Sequence, residues 1–293
     1  MKFLLAIGGK EYSQPTLDIG SRIARSFDAG LSVVYVGRKT KQIYDSGVQL
    51  AMDSLAKWEI YHPGVDVLQW AFEYLKESGF LKTDLSAADF DPKNLVGSGS
   101  RFRMVLPGSY GNDIDLILRE GEIIDELRQE LNEDEYFMTI IGGSKKRNMA
   151  HNLIQYLPTS IFVVQNYKRD ITYKLLLLVD DSEATKRAIR FGATIAKQQK
   201  LFINMLTVSK KEGNNAGYER AAKAAAKLLK AQGVDFEQHT RIGDPVDTFI
   251  EFAGDDNILV MGVSSQSPLK KFFMGSKPIK TLQRANTPIL IVR

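Results

Sequence analysis

Residues 257–293 read NILVMGVSSQSPLKKFFMGSKPIKTLQRANTPILIVR. Ile258, Leu259, Val260 and Met261 form a short apolar run closed by Gly262, the pattern of a strand buried on both faces. A polar loop follows, with Ser264, Ser265, Ser267 and Pro268. Gly275-Ser276 then opens a stretch of helical spacing, with Ile279 and Leu282 on one face, and a second apolar run, Ile289 to Val292, follows Pro288. The order is strand, loop, helix, strand. The N–H groups at a helix start lack partners and carry positive potential, so they favour an anion. Gly275 lets backbone approach such an anion and the Ser276 hydroxyl can donate to it, with phosphate the best-fitting guest. Glycine turns without a ligand have the same spacing.

On these residues the stretch resembles the nucleotide-binding end of the universal stress protein family. That family's pattern is Gly, two residues, Gly, nine residues, then Gly followed by Ser or Thr. Gly262 meets the first glycine, Gly275 the last and Ser276 the hydroxyl, while Ser265 replaces the second glycine. Serine suits that place only if no left-handed backbone is needed there. The spacing from Gly275 to Pro288 and the closing apolar strand are similar to the family as well. The resemblance implies an adenine nucleotide, ATP or a relative, with magnesium on its phosphates. It also implies a regulatory or stress-response role rather than a metabolic one.

Working outward, 293 residues suffice for one large domain or two of average size. A net charge of +4 is slight over this length and argues against a dedicated nucleic-acid binder. The absence of cysteine excludes disulfides, thiol catalysis and cysteine-ligated metals. The opening MKFLLAIGG fits a first strand better than a signal peptide, and no apolar run reaches membrane-spanning length. A cytoplasmic protein is expected.

The chain then repeats itself. Lys2 to Ala6 parallels Lys174 to Leu178; at the same offset Gly20 meets Gly192, Ile23 meets Ile195 and Val36 meets Val208. Arg119 to Glu122 parallels Arg241 to Asp244, and Thr159 to Val164 parallels Thr287 to Val292, at shorter offsets. The first half therefore carries an insertion, Gly37 to about Arg103, and later lacks about eight residues. Each half alternates strand-like and helix-like stretches, as α/β units with parallel sheets do. In the second half, strands are expected at Lys174–Val179, Phe202–Val208 and Val234–Thr240. Asp181 or Ser182 can cap the first helix, whose apolar stripe is Ala184, Ala188, Phe191 and Ile195. Asp244-Pro245 starts a later helix and Gly254 ends it.

In an open parallel sheet, ligands lie beyond the carboxyl ends of the strands where strand order reverses. Val179 and Asp180 end the first strand of the second half, and Val208 ends the next. By resemblance Asp180 reaches the base and ribose region and backbone near Val208 meets adenine; by residue type alone they are a helix cap and a core valine. Lys270, Lys271 and Lys277 flank the phosphate loop, as charge support or as a solvated basic face. The candidate nucleotide set is thus Val179, Asp180, Val208, Met261, Gly262, Ser264, Ser265, Gly275, Ser276 and Lys277.

The first half departs from this pattern. Ile7-Gly8-Gly9-Lys10 offers no carboxylate where Asp180 should have a counterpart, and the path from Gly142 to Thr159 is too short for a phosphate loop. Within the insertion, Leu50–Trp58 and Val67–Leu75 have helical spacing, as a packed hairpin, a lid or a partner surface, and Asp89–Gly99 reads as an irregular loop. The acidic stretch Asp125–Glu135 reads as a solvated helix face. His62, His151 and His239 stand apart from any triad or metal pattern, and no catalytic base is evident.

The expectation is an α/β chain of two tandem adenine-nucleotide-hydrolase-like (Rossmann-like) units, each a parallel five-stranded sheet flanked by helices. Residues 1–168 form a degenerate first unit and 172–293 a nucleotide-binding second. By resemblance the closing strands Ile161–Val164 and Ile289–Val292 lie together, the units self-associate and a homodimer can form. An unidentified protein partner is expected, but no nucleic acid. A nucleotide-independent interaction scaffold and an ATP-hydrolysing enzyme are the alternatives.

Overall fold

The computed structural model describes residues 1–39, 62–86, 89–143, 157–209, 216–262, 285 and 287–293. Its contacts divide the chain into two compact units, Met1–Ile140 and Ile141–Arg293.

The first unit starts with strand β1 (Lys2–Ile7), helix α1 (Lys10–Ser26) and strand β2 (Gly30–Gly37). Phe3, Leu4 and Leu5 are fully buried, and β1 pairs parallel to β2 with Leu5 opposite Val33. Helix α2 (Gly64–Glu77) covers the apolar register expected at Val67–Leu75, burying Leu68, Ala71, Phe72 and Leu75. The other expected helix, Leu50–Trp58, lies outside the described residues. His62, 8% exposed, precedes α2 as a satisfied core histidine. Its Nδ1 accepts from the Gly64 N–H at 2.8 Å and its Nε2 is 2.9 Å from the Arg38 carbonyl.

Strands β3 (Val96–Ser98), β4 (Arg101–Leu106) and β5 (Ile114–Glu120) follow, then helix α3 (Ile123–Glu133) and strand β6 (Met138–Gly142). β5 lies parallel to β2, whereas β4 pairs antiparallel with β5 and β3 antiparallel with β4. Two expectations are corrected here. The first sheet is not wholly parallel, because part of the insertion adds a hairpin beside β5. Part of the stretch read as an irregular loop, Asp89–Gly99, is strand: Val96 and Ser98 pair with Arg103 and Arg101. Glycine-rich sequence reads locally as loop, but pairing with β4 supplies the hydrogen bonds that make it a strand.

The acidic stretch also differs from its reading. Glu126 is 6% exposed and Glu130 is fully buried. Glu126, Glu130 and Glu133 recur at helical spacing along α3 and receive the fully buried Arg119 of β5 at 2.9, 2.7 and 2.7 Å. Arg101 of β4 reaches Glu130 at 2.8 and 2.9 Å, and the Tyr136 hydroxyl donates to it at 2.8 Å. Burial alone would raise the Glu130 pKa. The hydrogen bonds from Arg101, Arg119 and Tyr136 outweigh it and bring the value down to about 2. This helix meets its sheet through these ion pairs together with the fully buried Leu127.

The second unit contains β7 (Ser160–Val164), β8 (Lys174–Leu178), α4 (Glu183–Gln199), β9 (Ile203–Ser209), α5 (Ala216–Gln232), β10 (Phe236–Ile242), α6 (Pro245–Ala253), β11 (Asn257–Gly262) and β12 (Ile289–Val292). The strand order is β10-β9-β8-β11-β12-β7. The first five strands pair in parallel, and β7 runs antiparallel against β12 with Leu290 opposite Phe162. The two closing strands do therefore lie together. Ser182 caps α4 by accepting from the Thr185 N–H at 3.3 Å. Asp244 caps α6 by accepting from the Val246 and Asp247 N–H groups. Gly254 ends that helix at φ +53°, in the left-handed region. The third parallel strand sits two residues later than expected, at Phe236–Ile242.

Candidate functional site

Strand order in the second unit runs outward from β8 to β10 on one side and from β11 to β12 on the other. The reversal between β8 and β11 is where a ligand finds a crevice in a sheet of this kind. Val179 and Asp180, Val208, and Met261 and Gly262 stand at the carboxyl ends of β8, β9 and β11.

Three of these are core residues: Val179 is 4% exposed, Val208 9% and Met261 1%. Val179 is also tied through its backbone, its N–H donating to the Leu206 carbonyl at 2.9 Å. Asp180 is half-buried. Its Oδ1 accepts from the Ser182 N–H at 3.0 Å and from the Thr185 hydroxyl. One carboxylate oxygen thus builds the turn into α4, and Oδ2 has no hydrogen-bond partner among the described residues. The turn-forming and ligand-facing readings of Asp180 are compatible, since they use different oxygens.

Gly262 is buried, and a Cβ placed on it would fall 2.2 Å from the carbonyl carbon and oxygen of Ala184 and 2.6 Å from the Thr185 nitrogen. The end of β11 therefore passes directly over the first turn of α4. Only glycine permits that approach without backbone movement. The chain leaves this point into residues 263–284. Ser264, Ser265, Gly275, Ser276 and Lys277, with Lys270 and Lys271, lie outside the described residues.

Residues on two further elements, α5 and the inner part of β9, join the site without having been singled out in the sequence. The first turn of α5 lies beside Asp181, whose Oδ2 is 2.8 Å from where a Gly217 Cβ would be. Its neighbour Tyr218 is half-buried. Burial, then the negative charges of Asp181 and Asp180, push its phenol above the usual range. Nothing in the sequence marks a pairing across nearly forty residues. On β9, the hydroxyls of Thr207 (5% exposed) and Ser209 (4%) have no hydrogen-bond partner among the described residues. Buried hydroxyls are usually satisfied, so this edge has donor capacity to spare.

The corresponding edge of the first unit is built differently. The Gly8 N–H donates to the Ser13 hydroxyl at 2.7 Å, and Gly9 precedes α1 without a side-chain cap. Gly142 ends β6 and Gly143 follows it, and residues 144–156 lie outside the described residues. Among the described residues no group of three or more His, Cys, Asp or Glu side chains could hold a metal ion. No helix among them is long and apolar enough to cross a membrane.

Comparison with known proteins adds the following. The model of the universal stress protein family matches residues 172–293. No curated protein matches the sequence. Among solved structures, a putative universal stress protein from Pseudomonas aeruginosa UCBPP-PA14 aligns over 100% of this chain and 93% of its own, with 11% identity and a TM-score of 0.62. A universal stress protein from Archaeoglobus fulgidus DSM 4304 aligns over 100% and 96%, with 13% identity and a TM-score of 0.57. At these identities the likeness is one of fold. A universal stress protein in complex with cAMP aligns over 42% of this chain and 98% of its own, with 26% identity and a TM-score of 0.36; the cAMP is that protein's ligand.

Proposed function

We propose that the universal stress protein domain at residues 172–293 holds an adenine nucleotide, ATP or a close relative, at the carboxyl ends of β8, β9 and β11. The chain then acts as a nucleotide-dependent regulatory factor in the cytoplasm. The observation that carries this reading is Asp180. It stands half-buried at the reversal of strand order, with Oδ1 committed to the turn and Oδ2 unpartnered, beside a β11 end that only glycine can form.

Each residue then has a distinct part. Asp180 Oδ2 accepts from the ribose or base, as the family resemblance suggests. Backbone around Val179 and Val208 flanks the adenine, and the spare hydroxyl of Ser209 lies at the same edge. Met261 and Gly262 lead into the phosphate segment, where Gly275, Ser276 and Lys277, with Ser264 and Ser265, meet the phosphates. A magnesium ion on such a nucleotide rides on the phosphates rather than in a protein cage, in the manner common for this ion. The first unit, expected over residues 1–168 and compact over Met1–Ile140, is the degenerate partner: no carboxylate stands at the end of β1, and the Gly8 N–H is already occupied by Ser13.

The test is calorimetric titration of the full chain with MgATP, beside a Gly275→Val variant. One site per chain, lost in the variant, supports the reading. Two sites per chain overturn the assignment of a degenerate first unit. No binding to folded wild type overturns the nucleotide reading and favours a nucleotide-independent scaffold.

A further inference from the structure

β10 ends the strand order of the second unit, and among the described residues no strand pairs along its outer side. It is seven residues long, Phe236–Ile242, and mostly exposed, with Ile242 55% exposed. Its hydrogen-bonding direction follows from its inner side. The Ile203 N–H donates to the Asp235 carbonyl, and the Gly243 N–H donates to the Ser209 carbonyl. Odd-numbered residues therefore face β9, and Phe236, Gln238, Thr240 and Ile242 turn both N–H and C=O outward. The Arg241 guanidinium confirms the direction by donating to the Thr240 carbonyl at 3.0 Å.

A seven-residue edge without proline or lysine is a template for another strand. The sequence of this edge, FEQHTRI, is complementary to its own reverse about His239. Placed antiparallel to a second copy, with a twofold axis at His239, Glu237 faces the partner's Arg241, Gln238 faces the partner's Thr240, and Phe236 faces the partner's Ile242. The outward-turned residues fall opposite one another, so their backbone groups can exchange hydrogen bonds. Slipping the register by one pair sets His239 opposite Arg241, which forfeits the charge match, or opposite Glu237, where Asp235 meets Arg241 but Phe236 no longer faces Ile242. Glu237, His239 and Arg241 share the face packed on α6, where Phe252 lies 4.7 Å from the His239 ring and 5.8 Å from the Arg241 guanidinium. Both ion pairs then form on one face, beside an aromatic floor.

We propose that β10 is a self-association edge, through which two copies of this chain join antiparallel about His239 in an isologous pair. On pairing, Arg241 leaves the Thr240 carbonyl for the partner's Glu237, and the Gln238 N–H of the other copy takes its place.

The symmetry supplies the test. Sedimentation equilibrium of the full chain should show a dimer, weakened about tenfold or more in Glu237→Arg and in Arg241→Glu, where like charges face each other. Mixing these two single variants should restore association, because each then supplies the charge the other lacks. The E237R/R241E double variant should recover it alone. Thr240→Pro removes an outward N–H without touching the ladder to β9 and should also weaken the dimer. Circular dichroism confirms that each variant is folded. A wild type that stays monomeric at roughly 100 μM, where a micromolar interface would be filled, overturns the proposal. So do single variants that dimerise as well as wild type, or a mixture that fails to associate.

Discussion

A Cβ on Gly262 would stand 2.2 Å from the carbonyl carbon and oxygen of Ala184, so the end of β11 and the first turn of α4 touch backbone to backbone. The glycine that opens the loop motif is thus also a packing residue. Without it, the strand end and the helix that carries Asp180 at its entrance could not share their present positions.

Gly262→Ala should therefore destabilise the fold and disturb the site together. Overpacking of this kind costs about 1–3 kcal/mol. Thermal unfolding should shift down by several degrees, and nucleotide titration of the folded variant should show weaker binding. An alanine variant with unchanged melting and unchanged affinity would contradict the close approach.

Asp180→Asn separates the two uses of that side chain. The amide oxygen can still accept from Ser182 and Thr185, so stability should change little, while the charge and the second acceptor are lost. Hydrogen bonds to charged groups contribute about 1.5–3 kcal/mol, so affinity for adenine nucleotide should fall roughly ten- to a hundredfold. Equal affinity in calorimetry would restrict Asp180 to its turn.

Arg119 is fully buried against Glu126 and Glu130. Arg119→Met would leave those carboxylates poorly compensated, at a cost of about 3–5 kcal/mol. Denaturant unfolding of the variant should show a loss of this size, and neutralising both glutamates as well should recover much of it.

Acid should act on the same contact. The Glu130 pKa is lowered from 4.5 to about 2 in the folded protein, so folding favours its charged form. Its contribution is complete above pH 4.5 and disappears as pH falls from about 4.5 towards 2. Between those limits, stability of a Glu130→Gln variant should depend less on pH than that of wild type. Parallel curves for the two proteins would count against the assignment.

Much of the second unit is legible in its sequence because the signals are local. Asp244-Pro245 and Ser182 announce helix starts through groups two or three residues away, and the apolar runs at 175–178, 258–261 and 289–292 are strands buried on both faces. The glycine and serine punctuation of residues 257–293 has the spacing expected of a phosphate loop, whose residues 263–284 lie outside the described ones. The first unit is less legible. Its third helix uses glutamates where an apolar stripe is ordinary, and β3 carries glycine and serine where strand formers are ordinary. In both cases a partner elsewhere in the chain overrides the local preference.

The sequence by itself therefore determined the alternation of strands and helices, the internal repeat and the capping of the second unit's helices. Each of these depends on neighbours within a turn or a strand. Only the tertiary structure decided that Gly262 meets Ala184, that Gly217 lies beside Asp181, that Arg119 meets the glutamates of α3, and that FEQHTRI lies on an open edge. Those relations follow from strand order and helix placement, which bring together residues far apart in sequence, and burial then sets the charge and packing each must satisfy.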